Sequence, residues 1–320
     1  MRLPLRAGPG RDLALVAAIA VAIALLPLLT RSGTVLNAVI ATLLATLLAQ
    51  GWNILGGFGG QFSFGNALFF GVGAYTGTLL QMRFGVNAWA ALPAAMAAGG
   101  AVGALVGALA FRYGLKGSYF ALVTLAFAEV FRILANMVPF TGGGVGLMLP
   151  LDARAGAMQF PERAGYLYLI GALVVAGFVV HVWLRHSRFG AWLTAVRDNE
   201  ASAAALGVDA FRVKLGAIVL CGALTGAAGM FYVQYLHYID PGIAFGPAFS
   251  VEALLGAIVG GMGTVFGPLV GAVVLHLLSE SMRNLVADVP GASLAVYGVL
   301  LIVMVRFLPT GLMGLAARRR

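Results

Sequence analysis

The sequence predicts an all-α protein that crosses a membrane many times, and three observations carry that prediction. Hydrophobic residues make up 61% of the 320 residues and charged residues 10%, where soluble domains run at about 45–50% and about 25%. The mean hydropathy is +0.97. The apolar residues are gathered into runs at about 13–29, 35–55, 64–82, 88–110, 117–138, 164–184, 214–236, 250–262, 265–280 and 292–308. Most of these approach the roughly 20 residues that a helix needs to span a bilayer. Such runs are helical because lipid leaves backbone N–H and C=O groups no partner but each other. The whole chain, 1–320, therefore reads as a single membrane domain of about ten spans, some short or broken.

The first run follows MRLPLRAGPGR. It is longer than the roughly 7–15 residues of a signal-peptide core, and no A-x-A-like site follows, so it reads as an uncleaved span. Between the second and third runs lies GGFGGQFSFGNALFFGVGAY (56–75), and a matching cluster, GAIVGGMGTVFGPLVGA (256–272), falls in the other half of the chain. Small residues let helix backbones approach closely. Glycine-interrupted segments in matching halves also point to broken helices around a transport path. Both readings stand at this point. The second cluster reads either as one kinked helix or as two short ones.

The fifth run, YFALVTLAFAEVFRILANM, carries Glu129 and Arg132. Residues three apart share a helix face, so the two are expected to form an ion pair within the membrane. A charge in lipid is expensive, and an opposite charge beside it offsets part of the cost. The alternatives are a proton relay or a substrate contact. The polar residues Gln61, Ser63, Asn66 and Thr124 are candidates for lining a path, and equally for satisfying backbone groups where helices break.

The loop at 139–163 opens with PFTGGGVGL, too rich in glycine for a helix. The loop at 185–214 is the one long loop on its side. Asp198 or Asn199 can cap a short helix from Glu200 to Leu206, which Gly207 would stop. A continuous helix from Ala191 is the competing reading. With ten spans, thirteen Lys and Arg residues share the side of the termini and of the 185–214 loop. These are Arg2, Arg6, Arg11, Arg112, Lys116, Arg185, Arg188, Arg197, Arg212, Lys214, Arg318, Arg319 and Arg320. Five, Arg31, Arg83, Arg154, Arg163 and Arg283, face the other way. Basic residues mark the cytoplasmic side, so both termini are expected there.

The same residues argue against several functions. The net charge of +9 belongs to cytoplasmic loops and does not point to nucleic acid. Cys221 is the one cysteine, so no internal disulfide forms, and it reads as a small buried hydrophobe. There is no G-x-x-x-x-G-K-[ST] to hold ATP and no H-E-x-x-H. His181, His186, His237 and His276 lack ligand spacing. No G-x-S-x-G is present. No catalytic residue, metal site or bound cofactor is expected.

Three segments carry a resemblance. KGSYFALVTLAFAEVFRILANMVPFTGGGVGL (116–147), GGQFSFGNALFFGVGAYTGTLL (59–80) and RFGAWLTAVRDNEASAAALGVDAFRVKLGAIVLCGALTGAAGMFYVQYLHYIDP (188–241) resemble the LivM-type permeases of high-affinity branched-chain amino acid ABC transporters. The resemblance covers about 35–308. It implies a polytopic bundle with an inverted internal repeat, as in type II ABC importer permeases. It implies a place in the bacterial cytoplasmic membrane beside a LivH-like second permease, two cytoplasmic ATPases that use the ATP, and an extracytoplasmic substrate-binding protein. It implies a translocation path for leucine, isoleucine, valine or related amino acids.

It also implies that the 185–212 loop docks into the ATPase through Arg197, Asp198, Glu200, Ala201 and Gly207. The permease pattern there is EAA followed by glycine. Glu200, Ala201, Ser202 and Gly207 match it loosely, the glycine one place late. A short capped helix flanked by Arg188, Arg197, Arg212 and Lys214 is what a chain presents to a groove on a partner. A urea or short-chain amide permease resembles this glycine-rich segment too, although TLAFAE (124–129) favours amino acids. A stand-alone secondary transporter with Glu129 as its proton site is the reading from a different class.

Overall fold

The computed structural model describes residues 8–30, 32–152, 155–285, 298 and 311–318. The chain is an all-α membrane protein, as its composition requires. Among the described residues, seven helical stretches are long and apolar enough to cross a membrane. They are α1 (Pro9–Leu29), α2 (Gly33–Trp52) with the π-helical turn Asn53–Phe58, α4 (Ala88–Arg112), α5 (Gly117–Met137), α6 (Arg163–His186), α9 (Ala210–Leu236), and α10 (Pro241–Ala244) continued by α11 (Pro247–Gly260). Helix α3 (Asn66–Phe84) and helix α12 (Gly267–Leu285) accompany them. Two short helices, α7 (Arg188–Asp198) and α8 (Glu200–Ala205), fill the loop between α6 and α9, and α13 (Gly311–Arg318) follows α12. The run expected at 292–308 lies, apart from Gly298, outside the described residues. So do Arg2, Arg6, Arg31, Arg154, Arg319 and Arg320 of the charge count.

Side chains at the helix ends fix which ends lie together. Asp12 at the start of α1 is 2% exposed and takes Arg185 at 3.2 Å and His186 at 3.0 Å from the end of α6. Lys116, just before α5, and Lys214, in the first turn of α9, both reach Glu200. These contacts gather the starts of α1, α5 and α9, the end of α6 and the α7–α8 loop at one end of the bundle, hereafter the loop end. At the opposite end Arg163 lies against Gly33. There Tyr235 donates to Asn37, and the residue pairs Leu147↔Ile239 and Met148↔Tyr238 form a small antiparallel ladder of β1 (Leu147–Met148) with β2 (Tyr238–Ile239).

The core is made where α2, α3, α4 and α9 meet. Trp52, Phe69, Phe70 and Phe231 are all but fully buried there. Glycine sets the spacing. A methyl group on Gly73, Gly99, Gly222 or Gly229 would strike the backbone of the facing helix, so these helices touch main chain to main chain.

The second glycine cluster is a hairpin of two helices rather than one kinked helix. Gly256 and Gly260 of α11 face Gly271 and Gly267 of α12, and a Cβ on Gly260 or Gly271 would collide with the facing backbone. The turn between them uses Gly261 at φ +126° and Gly263 at φ +70°, a region that side-chain-bearing residues rarely enter. The first cluster is a break as well. Helix α2 widens into its π-helical turn, and residues 59–65 carry the chain to α3 without helical structure.

Candidate functional site

The loop end concentrates the residues that the sequence singles out. Helix α7 starts on Ser187, whose Oγ accepts from the Gly190 N–H at 3.1 Å, and buries Leu193 and Val196. Of the two caps left open for the next helix, Asn199 is the one used. Its Oδ1 accepts from the Ser202 N–H at 2.9 Å. The chain extends at Asn199, so α7 and α8 are separate helices and not one run from Ala191.

Helix α8 stops as expected. The Gly207 N–H bonds to the Ala204 carbonyl at 2.9 Å and the Val208 N–H to the Ala203 carbonyl at 3.0 Å, with Gly207 at φ +85°. This is the Schellman arrangement, and glycine adopts it without strain. It leaves Leu206 at the tip, 85% exposed, with Ala201, Ala204 and Ala205 exposed beside it.

Glu200 turns back toward the bundle. Its carboxylate accepts from Lys214 Nζ at 2.7 Å and pairs with Lys116 Nζ at 2.9 Å. Burial pushes this carboxyl's pKa up, but the hydrogen bonds from Lys214 and Lys116 outweigh it and hold it below 4.5. The Lys214 side chain is only 3% exposed and lies over the Phe111 ring, 5.2 Å from its centre. Of the four cations expected to face a partner, Arg188, Arg197 and Arg212 are exposed, although Arg197 also bonds back to the bundle at Gly57, whereas Lys214 is buried. Charge at a loop edge reads as solvated in sequence, and only the fold shows that Glu200 holds α8 down.

Arg197 meets both glycine breaks. Its Nη1 donates to the Gly57 carbonyl at 3.0 Å, and its Nε bonds to Asp198 Oδ1 at 3.1 Å. Its aliphatic stem packs on Gly60. Asn53 ties the two breaks together: Oδ1 accepts from the Gly263 N–H at 2.8 Å and Nδ2 donates to the Thr264 carbonyl at 3.0 Å. Neither Asn53 nor this convergence was legible in the sequence, because the partners are some 210 positions apart.

The candidate path residues cluster at the first break, engaged with backbone. Ser63 Oγ accepts from the Gly65 N–H at 2.9 Å, and Asn66 Nδ2 donates to the Leu48 carbonyl at 3.3 Å. Thr124 Oγ1 accepts from the Phe64 N–H at 3.1 Å and donates to the Ala121 carbonyl at 2.9 Å. All three are fully buried. Ser250 on α11, unmarked by any motif, joins them by accepting from the Ala67 N–H and donating to the Phe64 carbonyl. Gln61 is half-buried, its Nε2 on the Gly59 carbonyl at 3.4 Å and its Oε1 without a partner.

Glu129 and Arg132 lie apart from this cluster. Arg132 Nε donates to Glu129 Oε2 at 2.8 Å and Nη2 grips Oε1. Both side chains are well exposed on α5, so the pair bridges no second helix. At the opposite end of the bundle, Gln81, Asn87, Asp152 and Gln159 line a cavity of about 410 Å³. Among the described residues no three His, Cys, Asp or Glu gather as metal ligands would.

Comparison with known proteins fixes the family. Residues 34–305 match the family described as the permease component of branched-chain amino acid transport systems. The chain is 32% identical over 330 residues to the high-affinity branched-chain amino acid transport system permease protein LivM of Escherichia coli K12, covering 95% of this chain and 75% of that one. Identity to LivM of Salmonella typhimurium LT2 is 32% over 302 residues, 85% of this chain and 68% of that one. A shorter match, 26% over 194 residues and 58% of each chain, joins it to the ribose import permease protein RbsC of Bacillus subtilis 168. The chain belongs to the family of permease components of branched-chain amino acid transport systems.

Proposed function

We propose that this chain forms, with a LivH-like second permease, the translocation path of an ATP-driven importer for leucine, isoleucine, valine or related amino acids. Two cytoplasmic ATPases supply the energy and hold the ATP. An extracytoplasmic binding protein delivers the substrate, and lipid surrounds the spans. The observation that carries the reading is the tip of α8. It is a capped, one-turn helix with an apolar end, held from behind by an ion-pair cluster. An exposed Leu206 on a rigid mount suits insertion into a groove on a partner. Ala201 and Gly207 flank that contact, and Arg197, Asp198 and Glu200 support it from the bundle side.

In this reading the loop end is cytoplasmic, and the chain begins and ends there. Gly311 lies against Gly261, at the end of the bundle that holds Asp12, which supports an even number of spans. Ten is the number we propose, with an inverted repeat that places the two glycine breaks in corresponding positions. Gln61, Ser63, Asn66 and Thr124 belong to the gate at the first break, with Gln61 the member that has hydrogen-bonding capacity to spare. The secondary-transporter reading needs a carboxylate in the path. Glu129 gives it little support, being bound to Arg132 on an exposed face.

Replacing Leu206 with Glu puts a charge on the docking tip without touching the cluster behind it. The expected result is that the variant inserts and melts as the parent does, but retains at least about tenfold less ATPase on co-purification, as the loss of an interface anchor would give. Undiminished ATPase retention would remove α8 as the docking element.

A further inference from the structure

One guanidinium bonds to the end of α2 and packs against the turn that ends α11. The α2 helix ends through its π-helical turn, and an ending helix leaves its last carbonyls without intrahelical donors. Here the Leu55 carbonyl takes the Gln61 N–H and the Gly56 carbonyl takes the Gly60 N–H. The Gly57 carbonyl takes Arg197 Nη1 at 3.0 Å. Helix α11 ends at Gly260, and its turn residue Gly263 comes so close that a Cβ there would lie 3.1 Å from the same Nη1 and 3.0 Å from the Gly57 carbonyl oxygen. A cation at a helix C-terminus is favoured by the helix dipole, and Arg197 bonds to the first of these ends while packing beside the turn that follows the second.

Three contacts place the Arg197 side chain, which is about one third exposed. Its Nε is held by Asp198, its stem lies on Gly60, and Asn53 joins the two breaks so that they move as one unit. Among the described residues, no other side chain of α7 or α8 donates a hydrogen bond to the first break, and the second is bonded to the first through Asn53. π-Helical turns are rare and recur at functional positions.

We infer that Arg197 is a positioning residue that locks both glycine breaks to the α7–α8 unit, so that displacement of that unit releases the two breaks together. The source of the displacement, an ATPase pulling on α8, rests on the proposed function, whereas the lock itself does not. Lysine cannot reproduce it. It carries the charge but lacks the planar set of donors that serves Gly57 and Asp198 at once.

The test has two readouts. The first is hydrogen–deuterium exchange on the purified full chain, which needs no substrate and so stands apart from the transport reading. Arg197→Ala is expected to raise exchange at 59–61 and 261–264 together by about tenfold or more, the scale of losing a charge-assisted bond, with α4 and α9 unchanged. Arg197→Lys is expected to fall between Ala and the parent. The second readout is ATP hydrolysed per amino acid imported by the assembled complex. Arg197→Ala should raise that ratio by about tenfold, and Lys should restore part of it. Exchange that rises at one break alone, or across the whole chain, would overturn the lock. So would hydrolysis and import that fall in parallel.

Discussion

The Glu129–Arg132 pair and the Lys116–Glu200–Lys214 cluster each set a glutamate against basic side chains at similar distances, in opposite surroundings. The first lies within a single helix, its side chains 50% and 37% exposed. The second ties the start of α5, helix α8 and the start of α9 together, with Lys214 3% exposed and Glu200 28%. An ion pair inside one helix costs little order to form and specifies nothing about the neighbours. A pair across three elements fixes where each begins, and with one partner desolvated it is strong when intact and expensive when broken. The first pair therefore answers to whatever covers α5 in the membrane, and the second answers to the fold of this chain.

The largest expected effect comes from breaking the cluster at its buried member. Lys214→Ala leaves Glu200 half-paired and opens a gap over Phe111. Loss of about 2–3 kcal/mol is expected, less than for a fully buried pair because Lys116 remains. Thermal melting in detergent measures it, and a melting temperature unchanged from the parent would show that α8 is held by other contacts.

Glu200→Gln comes next, at about 1–2 kcal/mol near neutral pH. This loss should depend on pH in a definite direction. The carboxyl is held below 4.5 in the folded chain, so its ionised form is the one that the fold favours. Its contribution is full above that value and disappears as the pH falls through it toward the folded pKa. The parent and Glu200→Gln should thus differ most near neutrality and converge in acid. A difference that grows below pH 4.5 would contradict the assignment.

The smallest effect is expected at the exposed pair. Glu129→Gln should leave the melting temperature of the isolated chain where it is, since no second helix loses a contact. A large drop would mean that α5 is held through this pair after all.

How much of this could be read beforehand follows the range of the interactions. Composition and run length gave the membrane class, because bilayer thickness translates directly into residues. The cap at Asn199 and the stop at Gly207 were local, and Asn199 was one of two readings; the cap at Ser187 was not read. The hairpin of α11 and α12 stayed open because a glycine run is compatible with both a kink and a turn, and only the facing pairs Gly256–Gly271 and Gly260–Gly267 decide it. Glu200 and Lys214 were visible as charges beside a loop, but their inward direction depends on helices far apart in sequence. Asn53 and Ser250 had no signal, since neither belongs to a motif and the partners of each lie in the other half of the chain.

The most direct test of the central claim is uptake of radiolabelled leucine by vesicles containing this chain, with and without the second permease, the ATPases and the binding protein. The account predicts uptake that needs ATP and every partner and that survives collapse of the proton gradient. Uptake by the chain alone, abolished when that gradient is collapsed, would contradict it and make Glu129 the residue to pursue.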